Sequence, residues 1–262
     1  MTQQERRLWL IRRLWAEDPY RGGLAIPEDE QGQKNLLRAL MNVRPPEPIG
    51  EEILAVQDAY LTEENARGEI TDPAELPPCG LSDQICLWQG DITTLRADAI
   101  VNAANSGMTG CYQPLHNCID NIIGSKAGIR LRLCCRHIME RQGHPEPTGQ
   151  AKITPGYCLP CRYVIHTVGP VVEGPLTREH ERLLASCYRS CLGLAAAHRL
   201  GNIAFCCIST GVFMFPNQRA AEIAVGTVRE WLAETGSGIR VVFNVFKDLD
   251  REIYERLLNP GT

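Results

Sequence analysis

From residue 85 onward the chain alternates short apolar runs with longer stretches of helical periodicity. The runs at 85–89, 98–102, 151–157, 162–168, 203–208 and 240–246 read as strands; the stretches at 115–123, 126–141, 178–199, 216–234 and 250–258 read as helices. This alternation restricts the fold to the α/β class: a largely parallel or mixed sheet with helices on both faces. The runs are rich in Val, Ile, Phe and Cys and poor in charge, as strands covered on both sides must be. In such a sheet the ligand crevice lies beyond the carboxyl ends of the strands. Polar and aromatic groups gather there. Gly90-Asp91-Ile92-Thr93 follows the first run, Asn102 and Asn105 stand at the end of the second, Ser209-Thr210-Gly211-Val212-Phe213 follows the fifth, and the sixth carries Asn244 and ends at Phe246. One shared pocket is expected.

Residues 1–75 have a different character. Helical spacing over 3–16, 31–43 and about 50–62 predicts three amphipathic helices. The pairs and triplets Asp18-Pro19 and Arg21-Gly22-Gly23 are expected to end the first helix, and Pro45-Pro46 with Pro48 the second. Residues 66–80, rich in Gly, Asp and Pro, read as a linker. The expected organisation is a helical extension over 1–75, packed on a main domain over 76–262.

A net charge of −4 gives no footprint for broad capture of nucleic acid. No run of about 18 apolar residues exists to span a membrane, and the first 20 residues lack the apolar core of a secretion signal. A cytoplasmic monomer is expected, with no nucleic-acid or membrane partner. In that compartment most of the 12 cysteines read as buried free thiols. Cys187 and Cys191 share a helix face. Cys158 and Cys161 form a CxxC with no second copy; it reads as a thiol pair on a strand-to-strand turn, with a redox or metal site as the alternative.

The sharpest chemical signal is Cys111-x4-His116-x-Cys118. Thiolate and imidazole donors suit Zn²⁺, and three protein ligands leave a fourth position for water or substrate, as catalytic sites do. Cys134, Cys135 and His137 are nearby residues that would close the site instead. The bland alternative is two buried thiols and a core histidine. Asp120, two residues past Cys118 on the first turn or two of the same helix, is placed to orient water or a sugar hydroxyl, or simply to meet the helix dipole. Asn102 and Asn105 offer donors and acceptors for sugar hydroxyls, or act as turn residues. Ser209 to Phe213, between a strand and a helix, suits phosphate oxygens through backbone amides, or is an ordinary turn. No GxxxxGK[ST] or GxGxxG occurs, which disfavours a nucleoside triphosphatase and a dinucleotide dehydrogenase.

Taken together, Gly90-Asp91-Ile92-Thr93, Asp98 to Asn105, Thr148-Gly149-Gln150-Ala151, Thr154-Pro155-Gly156, Val164 to Pro170 and Ile208 to Phe213 resemble the macrodomain family, in order, over about 85–258. The likeness is greatest to the MacroD-like class, and GCYQPLHNCIDN resembles its zinc-dependent microbial branch, as does the helical extension. The resemblance implies a three-layer α/β/α domain with a mixed central sheet. It further implies a zinc-dependent hydrolase that removes mono-ADP-ribose from acidic side chains of modified proteins, with ADP-ribose and the modified protein as partners. The alternatives are a reader that binds ADP-ribose without cleaving it and a phosphatase acting on ADP-ribose 1″-phosphate. By the resemblance, Asp91 and the Ile92 amide read adenine, on which Phe246 packs. Ser209, Thr210, Gly211, Val212 and Phe213 cradle the diphosphate, and Asn102 and Asn105 hold the distal ribose. One Zn²⁺ sits on Cys111, His116 and Cys118, and Asp120 is the catalytic aspartate. The chain departs from the class at Gly124, where a histidine is common, so the chemistry falls on Asp120 and the metal. His166 reads as structural.

Overall fold

The computed structural model describes residues 1–17 and 25–259. Its centre is a six-stranded sheet of order β1-β6-β5-β2-β4-β3. The strands are β1 (Ile85–Gln89), β2 (Ala99–Ala104), β3 (Ala151–Pro155), β4 (Tyr163–Val168), β5 (Asn202–Phe205) and β6 (Arg240–Val245). Every neighbouring pair is parallel except β3 with β4, so the sheet is mixed, with its one antiparallel strand at an edge. Ile100, Val101, Val164, Ile165, Ile203, Val241 and Val242 are fully buried, which explains why these strands read as unbroken apolar runs. Helices α4 (Ile119–Ala127) and α5 (Ile129–Gln142) cover one face; α6 (Arg178–Ala197), α7 (Asn217–Thr235) and α8 (Asp248–Leu258) pack in series on the other.

Several boundaries differ from the sequence reading, three of them for a clear local reason. Strand β2 runs to Ala104 rather than residue 102, because Asn102 and Ala104 stay in register with His166 and Val168 of β4. Asn102 is therefore a strand residue. Strand β5 stops at Phe205, and Ser209 then turns into the left-handed region at φ 65°. The helix expected from residue 115 begins at Ile119: Leu115 is itself left-handed at φ 57°, and Cys118 is the N-cap, its sulfur accepting from the Asn121 amide at 3.4 Å.

Before the sheet come α1 (Gln3–Ala16), α2 (Glu30–Val43) and α3 (Glu51–Asn65). A Thr2–Glu5 capping box starts α1, and the Asp29 carboxylate starts α2 by accepting from the Gly32 amide at 2.8 Å. The turn expected at 18–19 and 21–23 lies outside the described residues. Leu10, Ile11, Leu14, Leu37, Leu40, Leu54, Tyr60 and Leu61 form a second apolar cluster that also takes in Ile129 of α5 and Cys158 of the β3–β4 turn. Buried Gln57 accepts from the Ile129 amide at 3.0 Å, and Asn65 donates to the carbonyls of Lys126 and Cys158. Gly128, at φ 91°, has no room for a side chain beside Gln57. Residues 66–80 are tied to the sheet domain as well: the Thr71 amide donates to Thr94, and Arg96 donates back to Thr71. Among the described residues no helix is long and apolar enough to cross a membrane.

The second cluster joins the first three helices to the sheet domain, so a cavity in it weakens the whole unit. Leu37→Ala is expected to lower stability by about 2–5 kcal/mol, read as a fall in the denaturant midpoint. Retention of the parent midpoint would show that α2 contributes little to folding.

Candidate functional site

Asp120 sits on the first turn of α4 and is buried, 7% exposed. The end of β2 holds it. Asn102 Nδ2 donates to Asp120 Oδ1 at 2.8 Å, and Asn105 Nδ2 donates to Oδ2 at 3.3 Å. Burial pushes the Asp120 carboxyl up to about 6, with the Asn102 hydrogen bond and the Arg132 charge pulling the other way. Asn102 Nδ2 also lies 3.1 Å from His166 Nδ1. An amide nitrogen only donates, so His166 Nδ1 accepts and its proton is on Nε2, which faces Thr154 Oγ1 at 2.9 Å. The ring is neutral, since burial pushes its pKa down to about 4. His166 thus fixes which way the Asn102 amide points. That leaves Asn102 Oδ1 buried without a protein donor.

Beside this carboxylate, Cys111 Sγ, a ring nitrogen of His116 and Cys118 Sγ lie within 4.8 Å of one another, with 3.5 Å between Cys111 Sγ and His116 Nδ1. Bonds of about 2.3 Å to sulfur and about 2.0 Å to nitrogen give tetrahedral edges of about 3.5–4 Å. The donor set and its spacing therefore fit one soft or borderline divalent ion. Cys134 and Cys135, on α5, stand apart from this group: Cys135 Sγ faces His166 Nε2 at 3.9 Å. His137 is not in it either. Burial pushes the Cys118 thiol up to about 11, so metal binding there must release its proton.

At the other end of the edge, Asp91 follows β1. Its Oδ1 accepts from the Thr93 amide and hydroxyl at 3.0 and 2.6 Å, and Lys126 pairs with Oδ2 at 3.1 Å. Burial alone would raise this carboxyl, but Thr93 and Lys126 together hold it below its ordinary value. Phe246 is 75% exposed just past β6. After β5, the Phe215 amide donates to the Ser209 carbonyl at 3.0 Å, closing a loop around 209–215. Within it the amides of Gly211, Val212 and Phe213 have no acceptor among the described residues. Ser209 lies so close to Gly169 that a Cβ there would come within 2.0 Å of its hydroxyl oxygen.

The parallel strands put all these groups on one edge, and sheet order sets their sequence: Asp91 after β1, Phe246 after β6, the 209–213 loop after β5, then Asn102, Asn105 and Asp120 at β2. From β1 to β2 is three strand spacings, roughly 14 Å. Helix α4 runs beneath the crevice, with Asp120 at one end and Lys126 at the other. Sequence reasoning missed Lys126 and also Arg132, which donates to the Cys111 carbonyl at 3.4 Å and stacks on Tyr112 at 4.5 Å. Neither belongs to a motif; their partners lie 35 and about 20 residues away, and nothing in local spacing signals them. Glycine stands at position 124, and there is open space around where its side chain would be.

The Macro domain family model matches residues 101–224. A protein-ADP-ribose hydrolase of Treponema medium is 56% identical over 262 residues, covering 99% of this chain and all of its own. One from Staphylococcus aureus strain MSSA476 is 53% identical over 237 residues, covering 90% of this chain and 88% of its own. Among solved structures, the Trypanosoma brucei macrodomain in complex with ADP-ribose superposes with a TM-score of 0.66 at 30% identity, over 84% of this chain and 94% of its own. The Oceanobacillus iheyensis macrodomain with ADP gives 0.61 at 36% identity, over 68% and 91%.

The neutral His166 predicts a pH signature. Unfolded imidazole titrates near its ordinary 6.5, whereas the folded ring titrates near 4. Between those values the unfolded state binds more protons, so this group's contribution falls as pH falls, by about 3 kcal/mol from pH 7 to pH 4. Asp120, with its pKa raised, acts in the opposite sense, so the informative quantity is the difference between parent and His166→Phe. That difference should shrink from pH 7 to pH 4 in denaturant unfolding; a constant difference would contradict the buried neutral ring.

Proposed function

The chain belongs to the macrodomain family, and from that premise we propose that it is a zinc-dependent protein-ADP-ribose hydrolase acting on mono-ADP-ribosylated acidic side chains. The observation that carries the reading is the order of groups along the sheet edge, which matches the order of parts in ADP-ribose. Asp91 and the Ile92 amide take the adenine edge, with Phe246 against the ring. Free amides of the 209–213 loop take the diphosphate. Asn102 and Asn105 take the distal ribose beside Asp120. The hydrolase names of relatives that match along most of their length support the same reading.

The reaction is hydrolysis at the distal ribose. Asn105 holds the sugar so that its reacting carbon faces Asp120. Asp120 orients the attacking water and accepts its proton. The water oxygen ends on the ribose carbon, and the acceptor protein leaves with its carboxylate restored. Cys111, His116 and Cys118 are the residues that would hold zinc, which when bound would supply a Lewis acid. With no imidazole at position 124, proton transfer rests on Asp120.

The same crevice serves a reader that holds ADP-ribose uncleaved, and the glycine at position 124 favours that second reading. One assay separates the two. Full-length protein is incubated with an acceptor mono-ADP-ribosylated on glutamate or aspartate, and release of ADP-ribose is followed. The proposal expects turnover that falls about 100-fold or more in Asp120→Ala and is lost on chelation or in Cys118→Ser. Tight binding without release would leave the reader. Release at the parent rate in the chelated protein would remove zinc from the reaction. Loss of terminal phosphate from ADP-ribose 1″-phosphate, with no release from protein, would identify a phosphatase.

A further inference from the structure

We propose that helix α2, which precedes the sheet domain, is part of the metal site: Arg38 and Asn42 are positioning residues that preset the 111–118 loop for its ion. The inference rests on the zinc reading above and goes beyond it, since neither residue touches the ion.

Arg38 and Asn42 are four apart and project from one face of α2 onto the ligand loop. Arg38 Nη2 donates to the His116 carbonyl at 2.7 Å and to Asn121 Oδ1 at 2.8 Å, and Arg38 Nε donates to Ser125 Oγ at 3.3 Å. Asn42 Oδ1 accepts from the Leu115 amide at 3.0 Å, and Asn42 Nδ2 donates to Ser125 Oγ at 2.9 Å. Leu115 is the left-handed residue of the loop, at φ 57°. Such a conformation costs about 1–3 kcal/mol for a residue with a side chain and persists where its surroundings hold it. Asn42 supplies that hold next to the histidine ligand. Asn121, gripped by Arg38, donates in turn to the Gln113 carbonyl at 2.9 Å. Its backbone amide caps onto Cys118 Sγ. The α2 face therefore bonds to His116 directly and reaches Cys118 through Asn121.

The third ligand is reached from the same helix by way of Arg132. This half-buried guanidinium donates to the carbonyls of Met41, Asn42 and Arg44, at 3.1, 2.8 and 2.6 Å, closing the C-terminal end of α2, and its other nitrogen reaches the Cys111 carbonyl. All three ligand positions thus trace back to α2 within one or two hydrogen bonds. A free loop would lose backbone freedom on closing around an ion; one already pinned at 111, 115 and 116 has lost it on folding. Preorganisation of this kind appears as metal affinity, and loss of outer-shell partners typically costs about 10–100-fold.

The test uses full-length protein: zinc affinity from competition with a chromogenic chelator, and the thiolate charge-transfer spectrum of the Co²⁺-loaded form. Parent, Arg38→Ala, Asn42→Ala and Asn35→Ala are compared, Asn35 being an exposed α2 residue whose side chain accepts from Gln31. Arg38→Ala and Asn42→Ala are expected to keep parent helix content, weaken zinc binding about 10–100-fold and change the cobalt spectrum, while Asn35→Ala does neither. If Arg38→Ala fails to fold, Asn42→Ala, which removes smaller contacts, decides. Parent affinity and spectrum in a folded Asn42→Ala, with or without a lowered melting temperature, would overturn the proposal and leave the zinc reading intact. A parent that retains no zinc would overturn the zinc reading itself.

Discussion

A buried carboxylate held by two amides is the contact on which the arrangement depends. Burial alone would neutralise Asp120, pushing its pKa up toward that of a buried acid. The amides of Asn102 and Asn105 give each of its oxygens a donor. Both asparagines come from the end of β2, one inside the strand and one just past it, so the position of the acid is referred to an interior strand paired on both sides. His166, on the neighbouring strand, locks the Asn102 amide from behind, and Thr154 on β3 locks the histidine. Three adjacent strands thus set the orientation of one side chain on α4. On the proposed reading, a carboxylate so fixed could meet a sugar carbon within a fraction of an ångström.

From the same strand order follows the shape of the crevice. Because β1, β6, β5, β2 and β4 run parallel, their carboxyl ends share one edge, and an extended ligand lying across it meets the groups in a set order. On the proposed reading, adenine recognition and bond cleavage would lie about three strands apart, with the diphosphate loop between them. Helix α4 bridges the two ends: Lys126 pairs with Asp91 at one and Asp120 stands at the other. Any shift of α4 would disturb both ends together, and α2 and α3 both pack against it.

Much of this was legible in the sequence because its signals are local. Apolar runs with charge excluded gave the strands, but the pattern left parallel and mixed sheets open, and the antiparallel pairing of β3 with β4 was not in it. Cys111, His116 and Cys118 are close in the chain, and the structure brings their donor atoms together. Cys187 and Cys191 are free and buried on one helix face, and Cys158 and Cys161 are free thiols in the β3–β4 turn. What the sequence did not disclose depends on the fold. The start of α4 was misplaced because an ordinary leucine, Leu115, adopts a left-handed backbone. His166 read as structural, and the pattern gave no sign that it dictates the tautomer and amide orientation behind Asp120. Lys126, Arg132, Arg38 and Asn42 find partners tens of residues away, where periodicity and spacing carry no information.

On the proposed reading, a metal on Cys111, His116 and Cys118 and the Asp120 carboxylate converge on the far end of an ADP-ribose laid across this edge. Diffraction from crystals of the protein with ADP-ribose, recorded on both sides of the zinc absorption edge, tests it directly. The account predicts one anomalous peak among the three ligand atoms, the distal ribose between that peak and Asp120, and adenine at Asp91. Nucleotide bound elsewhere, or ribose beside Asp120 with no anomalous peak in zinc-supplemented crystals, would contradict it.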